Sequence, residues 1–376
     1  MAAHSSSSAR FDSSVYAARL ARAAELTREA GLDALVVGTG PDLRYLTGVQ
    51  ADTFERLTAL VVPASGAPSL VTARLELASL RDSAVSELGL AVRDWVDGED
   101  PYALALDGLG PEARLAVSDA LPALHLIPLA ERVGPPVRLA TAVLRELRMI
   151  KDDAELAQLR TAGAAIDRVH ARMGEWLRPG RTEAAVAADI TAAILAEGHT
   201  EAAFVIVGSG PNGADPHHEQ SNRLILAEDI VVIDIGGPVG VGYNSDCTRT
   251  YCFGAPAPDI ADAYAALERA QAASVVAAVP GATAESVDAA GRSVLAQAGL
   301  ADYFIHRTGH GIGLSVHEEP YIVAGNTEVL RPGMVFSVEP GVYLPGRWGA
   351  RIEDIVILTE NGPEPVNKQP HGLTVL

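Results

Sequence analysis

Four acids and one histidine in this chain have the types and spacings for metal-assisted chemistry. Asp234 lies in VVIDIGG and Asp246 in YNSDCTRT, two strand-like runs separated by what reads as a Gly/Pro-rich turn, Gly236-Gly237-Pro238. The two aspartates are symmetric about Gly240, so an antiparallel hairpin is expected to set them opposite each other on one face. Glu339, in VFSVEPG, and Glu353, in ARIEDIVIL, repeat the arrangement symmetrically about Gly346. Facing carboxylates in runs this apolar need a cation between them. Between the hairpins His310, in TGHGIG, adds a neutral nitrogen ligand on a Gly-flanked backbone that can turn the ring inward. Four negative charges match two divalent ions. A mostly oxygen donor set with one imidazole suits Mn²⁺, Co²⁺, Fe²⁺ or Zn²⁺. Two such ions roughly 3.5–4 Å apart can share a water, lower its pKa and polarise a carbonyl, which is the equipment of hydrolysis at neutral pH.

An internal repeat supplies the elements that must position these groups. Leu177–Gly198 and Ala278–Gly299 align at a constant offset: Pro179, Gly180, Thr182, Val186, Ala188 and Gly198 match Pro280, Gly281, Thr283, Val287, Ala289 and Gly299, and Ile194 meets Leu295. Each copy reads as a helix, a Pro-Gly break and a second helix with Thr near its start. Two halves packed about a pseudo-two-fold would bring four carboxylates together. Upstream, KDDAELAQLRTAGAAIDRVHARMGEWL carries Leu156, Leu159, Ile166, Val169 and Met173 on one helical stripe, with Asp152 or Asp153 as N-cap.

Residues 1–14 read as a disordered tail. A helix is expected over Val15–Ala30, ending at Gly31. Short apolar strands then alternate with polar or helical pieces: ALVVG at 34–38, LTALVVP at 57–63, SLVT at 69–72, RLAVS at 114–118 and LHLIPL at 124–129. This α/β region, 15–140, holds no cluster of ligand-type residues, and a second region runs from 147 to 376.

The chain has 376 residues, 48% of them apolar, enough for two folded domains. A net charge of −19 argues against nucleic acid and anionic membranes as partners. No apolar run nears the roughly 18 residues that cross a bilayer, and MAAHSSSSARFDSS has no apolar signal-peptide core, so a cytoplasmic location is expected. Cys247 and Cys252 are the only two cysteines; an odd separation on one strand should face them opposite ways, against a disulfide.

VVIDIGG, YNSDCTRT, TGHGIGLSVHEEP, VFSVEPG and ARIEDIVIL, in this order, resemble the metallopeptidase family M24: the methionyl aminopeptidases, aminopeptidase P and prolidase. YLTG at 45–48 and LRMIKDDAELAQLR at 147–160 are similar to its proline-specific branch, the Xaa-Pro dipeptidases and Xaa-Pro aminopeptidases. The resemblance spans nearly the whole chain. It implies an α/β creatinase-like N-terminal domain followed by an α+β pita-bread catalytic domain with an internal pseudo-two-fold repeat. It further implies a homodimer, a peptide substrate with proline second, and two divalent ions, manganese first with zinc or cobalt as alternatives. It assigns the metal to Asp234, Asp246, His310, Glu339 and Glu353.

The resemblance also implies roles for other residues. In GSGPNGADPHHEQSNR, His217, rather than its neighbour His218, would hydrogen-bond the substrate and the tetrahedral intermediate. His317, in SVHEEP, would stand near the scissile carbonyl and the proline. Arg351, on the strand face of Glu353, would hold ligands or substrate. A metal-bridging hydroxide would attack the carbonyl before proline, with Glu339 returning a proton to the departing nitrogen. Proline nitrogen carries no hydrogen, which makes this bond a poor fit for other peptidases. Glu318 and Glu319 read as surface or supporting groups, and His4, His125, His170, His199, His306 and His371 as structural or solvated. Two other readings are a creatinase-like hydrolase of a small non-peptide amide and a non-enzymatic binding module on the same fold. A complete ligand set weighs against a metal-free creatinase and against the binding module, though not against a metal-dependent hydrolase of a small non-peptide amide.

Overall fold

The computed structural model describes residues 10–51 and 55–376. The chain divides into two compact units, Met1–Arg148 and Met149–Leu376.

The first unit carries helices α1 (Ser13–Glu29), α2 (Pro41–Thr47), α3 (Pro101–Ala105), α4 (Ala123–Ala130) and α5 (Thr141–Arg148). Its strands are β1 (Ala34–Gly38), β2 (Ala59–Pro63), β3 (Ser69–Ala73), β4 (Ala91–Trp95), β5 (Leu115–Val117) and β6 (Arg138–Leu139). They form one six-stranded sheet in the order β4-β3-β2-β1-β5-β6. Of the tail expected over 1–14, residues 1–9 lie outside the described residues. Asp12 caps α1 by accepting from the Ser14 amide at 2.9 Å, so the helix opens at Ser13.

The strand expected at 124–129 is instead helix α4. A short apolar run has no decisive period of its own; here His125 and Leu129, four apart, are buried while Leu124 and Ile127 face solvent. Pro128 brings no N–H to the Leu124 carbonyl, and the Tyr102 hydroxyl donates to it instead at 3.4 Å. Strand β4 was not anticipated, because two consecutive exposed residues, Ala91 and Val92, hide any alternation.

The second unit begins with α6 (Asp153–Ala171), whose start is a capping box of Asp152 and Glu155. α7 (Glu183–Ala196), α8 (Pro258–Ala277) and α9 (Ala284–Gln297) follow. Strands β7 (Phe204–Ser209), β8 (Ile230–Val239), β9 (Tyr243–Cys252) and β17 (Thr374–Val375) make one sheet in the order β17-β9-β8-β7. β10 (Gly309–Gly311), β11 (Glu318–Ile322), β12 (Val335–Val338), β15 (Asp354–Thr359) and β16 (Gly362–Pro365) make another, in the order β11-β10-β12-β15-β16. β13 (Gly341–Leu344) and β14 (Trp348–Arg351) form a two-stranded ribbon between β12 and β15.

The repeat is visible in the backbone. Thr182 and Thr283 are the N-caps of α7 and α9 and make matching bridges to Leu224 and Val329. Gly180 and Gly281, in the Pro-Gly breaks, share left-handed φ values of 85° and 89°. Their amides donate to the carbonyls of Ile225 and Leu330.

The first hairpin departs from expectation in two ways. Gly236-Gly237-Pro238 is not the turn; β8 runs through it to Val239. A Cβ at Gly236 would meet the Ser245 carbonyl at 2.3 Å and one at Gly237 the Glu201 carbonyl at 2.3 Å, so these glycines serve close packing. The turn is 240–242, with Gly240 and Gly242 both left-handed, and its centre is Val241. Asp234 therefore pairs with Thr248 and Asp246 with Gly236. The aspartates share a face as diagonal neighbours rather than standing opposite.

Candidate metal centre

Strand alternation selects the face of each acid. Val231, Ile233 and Ile235 of β8 and Cys247 and Tyr251 of β9 enter a core with Ile166 and Val169 of α6 and Ile190 and Ile194 of α7. The even-numbered Asp234, Asp246 and Thr248 point the other way. Cys252 joins a different core, so both cysteines are free and buried on opposite faces. In β12, Phe336 and Val338 pack with Val287 of α9, which leaves Ser337 and Glu339 to the site.

The second acid pair sits at a break in its ladder. β12–β15 and β13–β14 keep one register, and Glu339 and Glu353 fall between the two paired segments. Their amides pair elsewhere: Glu339 N–H donates to the Thr308 carbonyl at 2.8 Å, and Glu353 N–H to the Thr248 carbonyl at 3.2 Å.

All five expected ligands line a single cavity of about 1100 Å³, together with His217, His317 and Arg351. Asp246, His310 and Glu353 each offer a ligand atom within 4.8 Å of the others, and all three are buried. His310 Nδ1 has the Gly311 carbonyl at 3.1 Å as its acceptor, which commits that nitrogen as the donor. Nε2 then turns a lone pair toward Glu339 Oε1 at 3.2 Å and Asp246 Oδ2 at 3.6 Å. Asp234 Oδ1 is buried with no hydrogen-bond partner. A lone pair facing carboxylate oxygens and an orphaned buried oxygen are what a bound cation would resolve, so these residues fit divalent metal.

Charges in the cluster push in known directions. Burial, then the neighbouring Glu353 and Asp234, raise Asp246 well above the usual carboxylate range. Burial, then Glu339 and Asp234, do the same to Glu353. Burial also raises Asp234, against the opposing pull of Arg351. Burial would raise Glu339 as well; in the cation-free cluster a proton on His310 Nε2, donated to it, would outweigh this and lower it to about 2.

Arg351 is buried and ties the halves together. It donates to Asp234, to Thr248 Oγ1 at 3.1 Å and to the Tyr343 hydroxyl at 2.7 Å, and its terminal nitrogens lie 3.5 Å from the Pro216 carbonyl. Thr248 donates onward to Glu353 Oε2 at 2.7 Å. Behind the centre, Arg249 donates to the Glu353 carbonyl at 2.6 Å and to Asp354 at 2.8 Å.

The histidines take different places. His317 stacks obliquely on His310, with ring centroids 4.0 Å apart. Its accessible surface is large, yet desolvation by the cavity walls, then His310 and Arg307, lower it to about 4, so it is neutral at pH 7. His217 stands exposed in the cavity wall, while His218 turns to Glu183 at 2.8 Å.

His306, read from the sequence as structural or solvated, lines the cavity and belongs to this network, as does Tyr343, which the sequence did not single out. Tyr343 accepts from Arg351 and donates to His306 Nε2 at 2.8 Å, and His306 Nδ1 donates to the Arg307 carbonyl at 2.7 Å. No spacing pattern links the two residues in the chain; they meet only in the folded structure, from the segment before β10 and from β13. Glu318, read as a surface or supporting group, accepts from the buried Lys151 at 2.7 Å. His125, His170, His199 and His371 bond to Tyr102, Tyr251, Ser245 and Asp354, away from the ligand cluster, and His4 lies outside the described residues.

Known proteins share this architecture. Residues 157–360 match the model of metallopeptidase family M24 and residues 19–150 that of the creatinase/prolidase N-terminal domain. A probable dipeptidase PepE of Mycobacterium tuberculosis is 64% identical over 370 residues, covering 98% of this chain and 99% of its own. An Xaa-Pro dipeptidase of Lactobacillus delbrueckii is 33% identical, covering 93% and 96%. The crystal structure of dipeptidase PepE from Mycobacterium ulcerans superposes with a TM-score of 0.95 at 64% identity, covering 97% of this chain and 99% of that one. Ligand cluster, repeat and relatives agree: this chain belongs to metallopeptidase family M24, as a peptidase with a creatinase/prolidase-type domain ahead of a pita-bread catalytic domain.

Proposed function

We propose that the protein hydrolyses Xaa-Pro dipeptides, with two divalent ions, manganese first, held by Asp234, Asp246, His310, Glu339 and Glu353. The observation that carries this reading is the convergence of four carboxylates and one imidazole lone pair in a single cavity, with Asp234 Oδ1 otherwise unpartnered. The Lactobacillus relative's name points the same way. When bound, such ions supply Lewis acidity and an acidified water.

The chain's own groups do the rest. Glu339, which lines the cavity beside His310, takes the proton of the attacking water and returns it to the proline nitrogen as the C–N bond breaks. His217 donates a hydrogen bond to the oxygen that gains charge. His317, neutral at pH 7, holds the tertiary amide against the ligand cluster. Arg351 fixes Asp234 through an ion pair and so keeps that ligand's free oxygen aimed inward. The same reading carries a cytoplasmic homodimer, for which mass in solution and cell fractionation are the tests.

Metal-stripped protein reloaded in turn with Mn²⁺, Zn²⁺ and Co²⁺ should regain turnover of Ala-Pro but not of Ala-Ala. A longer Xaa-Pro peptide should be cut poorly. Activity that survives exhaustive chelation, or equal turnover of Ala-Ala, would overturn the reading. Folded, metal-loaded Glu339→Gln should lose roughly 10²–10⁴-fold in kcat.

A further inference from the structure

The loop that brings His217 to the cavity is organised by a carboxylate that does not itself line the cavity. Glu183, at the start of α7, is fully buried. Acids in a first helical turn ordinarily face solvent, where the helix dipole favours them. This one receives bonds from both ends of the 209–221 loop. Oε1 accepts from the Ser209 amide at 2.8 Å and its hydroxyl at 2.6 Å. Oε2 accepts from the Ser221 amide at 3.1 Å and its hydroxyl at 2.7 Å. Asn212 Nδ2 reaches both oxygens at 3.1 Å, and His218 Nε2 reaches Oε2 at 2.8 Å. Burial alone would raise the acid; these donors outweigh it and hold it at about 2.

His217 needs such support. Among the described residues its ring has no hydrogen-bond partner; its own bond is from its backbone amide to Asp215 at 3.0 Å. Loop backbone alone therefore places the ring, and the same backbone presents the Pro216 carbonyl beside Arg351. The repeat makes the contrast plain, because the position matching Glu183 in the second copy is Ala284.

We propose that Glu183 is a positioning residue that sets His217 in the cavity by tying Ser209, Asn212, His218 and Ser221 to α7. That His217 acts on substrate rests on the function proposed above; that Glu183 fixes its place does not.

The test uses the metal-loaded full chain and two variants, Glu183→Gln and Ser221→Ala. Hydrogen exchange of peptides spanning 209–222 and modification of His217 by diethyl pyrocarbonate report loop order without any substrate. Faster exchange there, altered His217 reactivity and unchanged metal content are expected for Glu183→Gln, with smaller changes of the same sign for Ser221→Ala. Turnover of Ala-Pro by Glu183→Gln should fall roughly 10- to 100-fold in kcat, with KM little changed, as for a misplaced catalytic group. In a His217→Ala background the same substitution should cost less than about threefold, because groups acting as a unit are not additive. Unchanged exchange and His217 reactivity, or an equal kcat loss with and without His217, would overturn the proposal. If Glu183→Gln does not fold, Ser221→Ala decides by the same criteria. Should the wild type cleave no Xaa-Pro peptide, exchange and modification still decide the matter for Glu183.

Discussion

The two halves of the catalytic unit build the same kind of corner differently. In the first, β8 and β9 pair without interruption, and the aspartates lie diagonally on a continuous ladder. In the second, the ladder opens at Glu339 and Glu353, whose amides bond Thr308 and Thr248 instead. Each half also pins a histidine-bearing segment with a buried carboxylate from its helix. Glu183 of α7 holds Ser209 and Ser221, whereas Asp288 of α9, one turn further along, accepts from the Thr308 amide at 3.1 Å and hydroxyl at 2.8 Å. The difference shows what the duplication kept. It kept the place where a carboxylate meets the histidine segment, not the helical position that supplies it.

The largest effect should come from the open ladder. Glu353→Gln removes one proposed ligand and should lower metal-supported activity by more than the roughly 10–100-fold typical of losing a supporting group. The same change should stabilise the metal-free protein, since it relieves a buried acid crowded by Glu339 and Asp234. A rise in the Tm of stripped protein, of about 2–4 °C per kcal/mol relieved, checks this by scanning calorimetry. A fall in Tm would mean the acids are not in conflict without metal.

Next comes the pH dependence of the first half's anchor. Glu183 is depressed from 4.5 to about 2, so its contribution is fully present above pH 4.5 and is lost as pH falls from there toward 2. A shift of that size corresponds to roughly 3 kcal/mol. Urea titrations of wild type and Glu183→Gln should differ by about that much at pH 6 and converge as the pH approaches about 2. A gap independent of pH would assign the stabilisation to packing instead.

The smallest effect separates the two caps. Thr182 Oγ1 accepts from the Ala185 amide at 3.1 Å, whereas Thr283 makes no such bond. Thr182→Ala should cost about 1 kcal/mol and Thr283→Ala only a few tenths, measurable as a difference in urea midpoint.

Much of this was legible in the chain because strand alternation and the repeat are local signals. Asp234, Asp246, His310, Glu339 and Glu353 could be picked out by type and symmetry, and the cavity gathers all five. The register of the first hairpin was misread by two residues. Gly236-Gly237-Pro238 looks like a turn, and only the approach of the Ser245 and Glu201 carbonyls shows why glycine is needed there. The roles of His306, read as structural or solvated, and of Tyr343 and Glu183 were missed for another reason. Each acts through partners distant in sequence, and a first-turn glutamate looks like any solvated one. The run at 124–129 carried no usable period, so its helix awaited packing to be seen.

One bond has a consequence in time. The hydroxyl of Thr248 meets the carboxylate of Glu353 across 105 residues of chain. At roughly 5–20 residues per second of synthesis, the first hairpin waits several seconds on the ribosome before its counterpart exists. A cation that needs acids from both hairpins can therefore be fully held only after the second has been made.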